Sequence, residues 1–181
     1  MTEMTEMTAT TVTNAATIES LQAVPAGQGD HHFFLNHLAT VKVGAGQSDS
    51  GLALVEFVAP RGFGPPLHVH TEEDELMYVL EGEIRLDLGN GETDIASAGT
   101  AVALPHGTPH TWQVVSDEAR FLTINAGRRS GASFDQLVAA LGTPTDPQEM
   151  PDPIEIDPGH VTSVCAEHGI DVLGPPPPRL D

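Results

Sequence analysis

GFGPPLHVHTEEDELMYVLEG, residues 62–82, decides how the rest of the chain is read. His68 and His70 are two apart, and on a β-strand that spacing sends both imidazoles to one face. Glu75 follows at an odd offset, which would point it the other way on an unbroken strand. Thr71, Glu72, Glu73 and Asp74 lie between, polar enough for a turn or bulge that swings Glu75 back toward the histidines. Two imidazoles and a carboxylate on one spot make a ligand set for a borderline first-row metal. Pro65 and Pro66 fix φ immediately before the pair and stiffen its approach.

A fourth candidate, His110, closes GTAVALPHGTPH, residues 99–110. Its framing by Gly99, Pro105 and Gly107 resembles the second half of the cupin signature. The first half is matched by Gly62, His68, His70, Glu75 and Gly82 at every position. The chain therefore resembles the cupin superfamily, and its segment order and length are similar to the single-domain flavonol (quercetin) 2,3-dioxygenase-like members over about residues 33–173. It departs at Val114, where the family often carries an asparagine that is not a metal ligand.

The resemblance implies an all-β fold, a single jelly-roll β-barrel with short C-terminal helices. It implies one divalent first-row transition metal per chain (nickel, cobalt, iron, manganese, copper or zinc), held by His68, His70, Glu75 and His110 with coordination positions left open. It also implies a dioxygenase that splits a flavonol-like or other enolisable aromatic substrate with O2, Glu75 accepting the substrate's hydroxyl proton. A non-catalytic cupin that binds a metal or small molecule, or an isomerase or decarboxylase, stands as the alternative, because this fold hosts many functions.

Charge and cysteine content narrow the partners. At 181 residues the chain suits one well-buried domain and is short for two. Lys and Arg total 7 against 26 Asp and Glu, a formal charge of −19 that repels nucleic acid and anionic membranes. The expected partners are a small-molecule substrate and O2, with no nucleic acid and no membrane. Cys165 is the only cysteine, so no internal disulfide can form. The opening MTEMTEMTATTVTNAATIES has neither a basic region nor a long apolar run, and cytoplasm is the expected location.

Along the chain, residues 1–29 read as a mobile arm and 30–127 as the metal-binding barrel. Residues 128–174 read as a helical, proline-rich cover and 175–181 as a loosely held polyproline tail. FFLNHLATVKV, residues 33–43, reads as one strand. Ile84, Leu86 and Leu88 alternate with Glu83, Arg85 and Asp87, the pattern of a sheet with one wet face. Gly89-Asn90-Gly91 signals a hairpin. About eight short strands without helical period argue for a sandwich or barrel. Phe134, Leu137, Val138 and Leu141 have helical spacing between a Ser133 N-cap and a Gly142 stop, and a second short helix ends at Gly169.

Met77 and Val79 share a face with Glu75, and Trp112 shares one with His110. Together with Phe57 they are expected to line a substrate pocket suited to a flat apolar ligand. His106 reads as an exposed turn residue, Arg85 as a surface ion-pair partner, and Cys165 as a small buried hydrophobe. His31, His32, His37, His160 and His168 read as ordinary. A homodimer is expected, with residues 33–43 contributing to a shared sheet.

Overall fold

The computed structural model describes residues 23–127 and 133–180, so most of the expected N-terminal arm lies outside the described residues. The strands are β1 (Asp30–Phe34), β2 (His37–Val43), β3 (Ala53–Pro60), β4 (His68–His70), β5 (Glu73–Glu81) and β6 (Glu83–Asp87). They continue with β7 (Thr93–Ser97), β8 (Ala101–Leu104), β9 (Thr111–Val114), β10 (Glu118–Gly127), β11 (Gly142–Pro144) and β12 (Ile170–Val172). Two helices, α1 (Phe134–Leu141) and α2 (Pro158–Glu167), complete the set. A seven-stranded sheet runs in the order β11-β1-β2-β3-β10-β5-β8, a three-stranded sheet is β7-β6-β9, and β12 pairs with β4.

Alternation along the strands builds the core. β5 buries Glu73, Glu75, Met77 and Val79 and turns Asp74, Leu76 and Tyr78 outward. Beside it β10 buries Ala119, Phe121, Thr123 and Asn125. Ile84 and Leu86 of β6 and Trp112 and Val114 of β9 face them from the smaller sheet. Trp112 meets Phe121 edge-on at a ring separation of 4.9 Å, which joins the two layers. Each buried aromatic of this kind contributes about 1.5–3 kcal/mol through the surface it removes from water.

The layers form a jelly-roll sandwich that does not close into a barrel. β8 ends one sheet and β7 the other, and the two edge strands are not paired with each other. The Gly89-Asn90-Gly91 turn does join β6 to β7, with Leu88 N–H donating to Glu92 O at 3.1 Å. At the β5–β6 turn Gly82 adopts a φ of +79°, and any Cβ there would run into the Glu118 carbonyl.

Two sequence expectations are corrected. Residues 33–43 are not one strand: Leu35 and Asn36, at φ of 48° and 72°, make a two-residue hairpin between Phe34 and His37. Asn36 holds that turn through its side-chain amide, which donates to Ile154 O at 2.9 Å and accepts from Ile154 N–H at 2.8 Å. The polyproline tail, for its part, is tied down. Gln113 Nε2 donates to Pro178 O at 2.7 Å, and Leu67 N–H donates to Pro175 O at 3.4 Å.

The C-terminal segment completes both layers. Ser133 sits at the N-cap of α1, where its N–H donates to Gln136 Oε1 at 3.2 Å, and Phe134, Leu137 and Val138 are buried. β11 then covers the outer edge of β1 across His32, Phe33 and Phe34, so pairing between chains at that edge has to displace it. No helix among the described residues is long and apolar enough to cross a membrane.

The hairpin clamp gives a first prediction. Asn36→Ala loses both amide hydrogen bonds and places a Cβ without local hydrogen bonding in the left-handed region, so it should destabilise the fold by about 1–3 kcal/mol. Asn36→Gly loses the same bonds but not the backbone fit, and should cost roughly 1 kcal/mol less. Urea unfolding of the two variants measures the difference, and equal stability would show that the turn is unstrained.

Candidate metal centre

β4 is three residues long and owes its place to neighbours on both sides. Ile170, Asp171 and Val172 of β12 pair with His70, Val69 and His68. On the other side His68 and His110 face each other as a backbone pair, His68 N–H to His110 O at 3.0 Å and His110 N–H to His68 O at 2.8 Å. Directly opposed residues of an antiparallel pair share a face, so the two imidazoles come together, ring centroids 4.4 Å apart. Gly107 N–H donates to His70 O at 2.8 Å, which ties the loop before His110 to the same strand. Close by, Gly64 is needed because any Cβ there would collide with the Trp112 carbonyl.

Glu75 arrives from β5. The break that reverses its direction is shorter than the sequence suggests, a bend at Thr71 and Glu72 after which Glu73 is already in the strand. Asp74 turns outward and holds exposed His106, whose Nδ1 lies 2.8 Å from Asp74 Oδ1. Glu75 turns inward, its Oε2 lying 3.1 Å from His110 Nε2 and 3.3 Å from His70 Nε2. The first contact is a hydrogen bond, whereas the second is not aligned as one, which leaves His70 Nδ1 and Nε2 without hydrogen-bond partners.

His68, His70, Glu75 and His110 each present a ligand atom, all within 4.8 Å of one another; His70, Glu75 and His110 are buried and His68 is half-buried. His68 Nδ1 lies 2.8 Å from Pro66 O and His110 Nδ1 lies 2.9 Å from Thr108 O. A carbonyl only accepts, so Nδ1 carries the proton in both rings, and Nε2 is the nitrogen directed at the cluster. Adjacent ligands on a dication with bonds of about 2.1 Å stand about 3.0–3.4 Å apart. The 3.1 Å and 3.3 Å separations at Glu75 match that spacing. The donor set and its geometry fit a first-row divalent metal.

The electrostatics agree. Burial, then repulsion from His110 and His70, pushes His68 down to about 3, so it stays neutral and basic in the lone-pair sense. Burial by itself would raise Glu75, but the His110 hydrogen bond and the contact with His70 outweigh it and hold the carboxyl below the usual carboxylate range. His110 is raised: burial opposes this, and the Glu75 carboxylate overcomes it. Glu73, two residues earlier on the same face of the strand, is raised chiefly by burial, against the opposing pull of His70.

A pocket opens over the cluster, about 640 Å³ of empty space with its mouth included. Its walls are aromatic and aliphatic: Phe34, Phe57, Phe63 and Trp112 from the strands and loops, Phe134 from α1 and Val161 from α2. Met77 and Val79 do not line this pocket; at 1% exposure each they are core. They share the face of Glu75, but a strand advances about 3.3 Å per residue, which carries them past the pocket floor. Arg85 donates to Gln113 Oε1 at 2.8 Å beside the polyproline tail, in no ion pair among the described residues.

One pocket residue was set aside by the sequence reading. His37 is 3% exposed and lies in the wall with Phe57 and Phe63. A histidine inside the otherwise apolar FFLNHLA was the available signal.

Residues 54–125 match the family described as Cupin domain, and the fold and motif residues are similar to those of cupins. The chain is quercetinase-like in sequence: it is 28% identical to quercetin 2,3-dioxygenase of Bacillus subtilis over 126 residues, covering 70% of this chain and 36% of that protein. The chain thus spans little more than a third of that relative. It is also 42% identical to uncharacterized protein YdbB of Bacillus subtilis over 43 residues, 24% of this chain and 38% of that one. Among solved structures it is similar to the polyketide cyclase RemF of Streptomyces resistomycificus, with a TM-score of 0.53 and 23% identity over 61% of this chain and 82% of that one. That likeness is one of fold.

Cys165 of α2 also borders the pocket, and burial pushes its thiol up to about 11. Thiolate is the reactive form, so the folded protein should alkylate about a hundredfold more slowly at pH 8 than the same protein in urea. Its rate should keep climbing as pH rises toward 11 while the fold persists. A thiol-reagent time course in both states gives the ratio, and equal rates would place Cys165 at the surface.

Proposed function

We propose that the protein is a metal-dependent cupin dioxygenase acting on a flavonol-like or other enolisable aromatic substrate. The observation that carries the reading is the buried cluster of three imidazoles and one carboxylate under an aromatic pocket. The similarity to quercetin 2,3-dioxygenase supports it. A first-row dication bound there would supply Lewis acidity toward an enolate oxygen beside O2.

The chain's own residues supply the rest. His68 and His110, each fixed by a backbone carbonyl at Nδ1, hold their Nε2 atoms in place without reorganisation. Phe57 and Trp112 present flat apolar surface to an aromatic ligand and keep bulk water from the reacting edge. Glu75, whose carboxylate faces the cluster, would accept the enol proton at a carboxylate oxygen as the substrate becomes an enolate. The enolate then takes up both atoms of O2 and loses one carbon as carbon monoxide.

Purified without a histidine tag, the protein should carry close to one equivalent of a first-row metal. His68→Ala, His70→Ala and His110→Ala should each lose most of it by elemental analysis. Full retention by two of the three would remove the site.

The metal-loaded protein should consume oxygen with quercetin, bleach its absorbance and release carbon monoxide in step. Glu75→Gln preserves size and removes the base, so its turnover should fall by about 10²–10⁴ while metal content falls far less. Unchanged turnover with metal retained ends the base role. Binding of quercetin without oxygen uptake by the fully loaded protein identifies a binding module instead.

A further inference from the structure

His37 is ringed by Phe34, Phe57 and Phe63 at centroid separations of 5.4, 5.2 and 4.1 Å. It shares the pocket with His68, His70 and Glu75. Its Nε2 is buried and has no hydrogen-bond partner among the described residues. An unmet buried polar atom costs about 1–3 kcal/mol, and a phenylalanine could occupy the same wall without that cost. The turn that delivers His37 is costly too, since Leu35 and Asn36 immediately before it both sit at positive φ. Strain and an unmet polar group at one point in a pocket wall are marks of a functional position.

The ring's tautomer defines what it can meet. Burial pushes His37 down to about 3, so the imidazole is neutral and has a single N–H. The one polar contact of the ring is Nδ1 with Leu35 O, long at 3.5 Å. The carbonyl accepts, so the proton is on Nδ1 and Nε2 is a bare acceptor.

We propose that His37 is a specificity residue whose Nε2 accepts a hydrogen bond from a hydroxyl that an aromatic ligand carries away from its metal-binding edge. This rests on the reading of the pocket as an aromatic-ligand site, and extends it from a flat enol to a hydroxylated one. A site built to bond a hydroxyl discriminates strongly against the analogue lacking it, because the buried acceptor is then left unmet.

Trp112 is the chain's single tryptophan and lines the pocket, so its fluorescence reports binding directly. On zinc-loaded protein, quercetin should bind about tenfold tighter than 3-hydroxyflavone, which keeps the enol edge and lacks the other hydroxyls. His37→Phe should bring the two within about twofold, with metal content unchanged. Thr123→Val, which removes an unpartnered hydroxyl elsewhere in the pocket wall, should keep the preference. A preference that survives His37→Phe, or that Thr123→Val abolishes, overturns the proposal.

Should His37→Phe fail to fold, nitrogen-15 NMR of histidine-labelled wild type decides. The Nε2 resonance of His37 should move on saturation with quercetin, and an unmoved resonance refutes the contact. If neither flavonol quenches Trp112, the flavonol reading falls while His37 is still tested by 2-naphthol against naphthalene, which carry no enol edge. Tighter binding of 2-naphthol that is lost in His37→Phe supports the residue's role, and equal affinity in wild type overturns it.

Discussion

The pair of backbone hydrogen bonds between His68 and His110 is the constraint on which the centre depends. Two stretches of chain some forty residues apart each bring histidine to the fold, and neither alone makes a chelating site. The bridge sets their register, and register in a β-ladder is also facing, because a slip of one residue would turn a ring to the other side. The pocket loops serve the same end. Pro66 and Thr108 lend carbonyls to the two Nδ1 atoms, so the residues that frame the histidines in sequence also orient them in space.

Burial makes this arrangement demanding. His70, His110 and Glu75 lie in the core with Glu73 and with Asn125, whose side-chain amide has no hydrogen-bond partner among the described residues. Carboxylates withdrawn from water want compensating positive charge. Glu75 finds it in His110, which is why one is lowered and the other raised against the pull of burial. A divalent ion satisfies all four donors together, and removes the proton that would otherwise sit between them. The surface charge of the chain, −19 overall, favours the arrival of a cation as well.

The site was largely legible from sequence because its information is periodic. Spacing of two on a strand gives a common face, and glycine and proline at fixed offsets give the turns. Legibility stopped where distant segments decide the outcome. Leu35 is a poor residue for a positive φ, and the turn it occupies is held by Ile154, more than a hundred positions on. With the hairpin unseen, His37 seemed a strand residue with no particular facing. Met77 and Val79 show a related gap: alternation reveals which face a side chain takes but not how deep along the strand the pocket ends. The tail was misread because polyproline composition carries no sign of the Gln113 amide waiting for the Pro178 carbonyl.

The pairing of β4 with β12 has a consequence for how the protein is made. Residue 70 finds its partner at residue 170, so the histidine strand keeps one bare edge until a hundred further residues have left the ribosome. During that interval the His110 bridge can form, while the other flank, α2 and the last wall of the pocket are still missing. The surroundings of the candidate centre are therefore completed about a hundred residues after its first histidines, which meanwhile meet whatever ions are present. For an ion that entered this cluster, capture would compete with the folding of β12 and α2 over it.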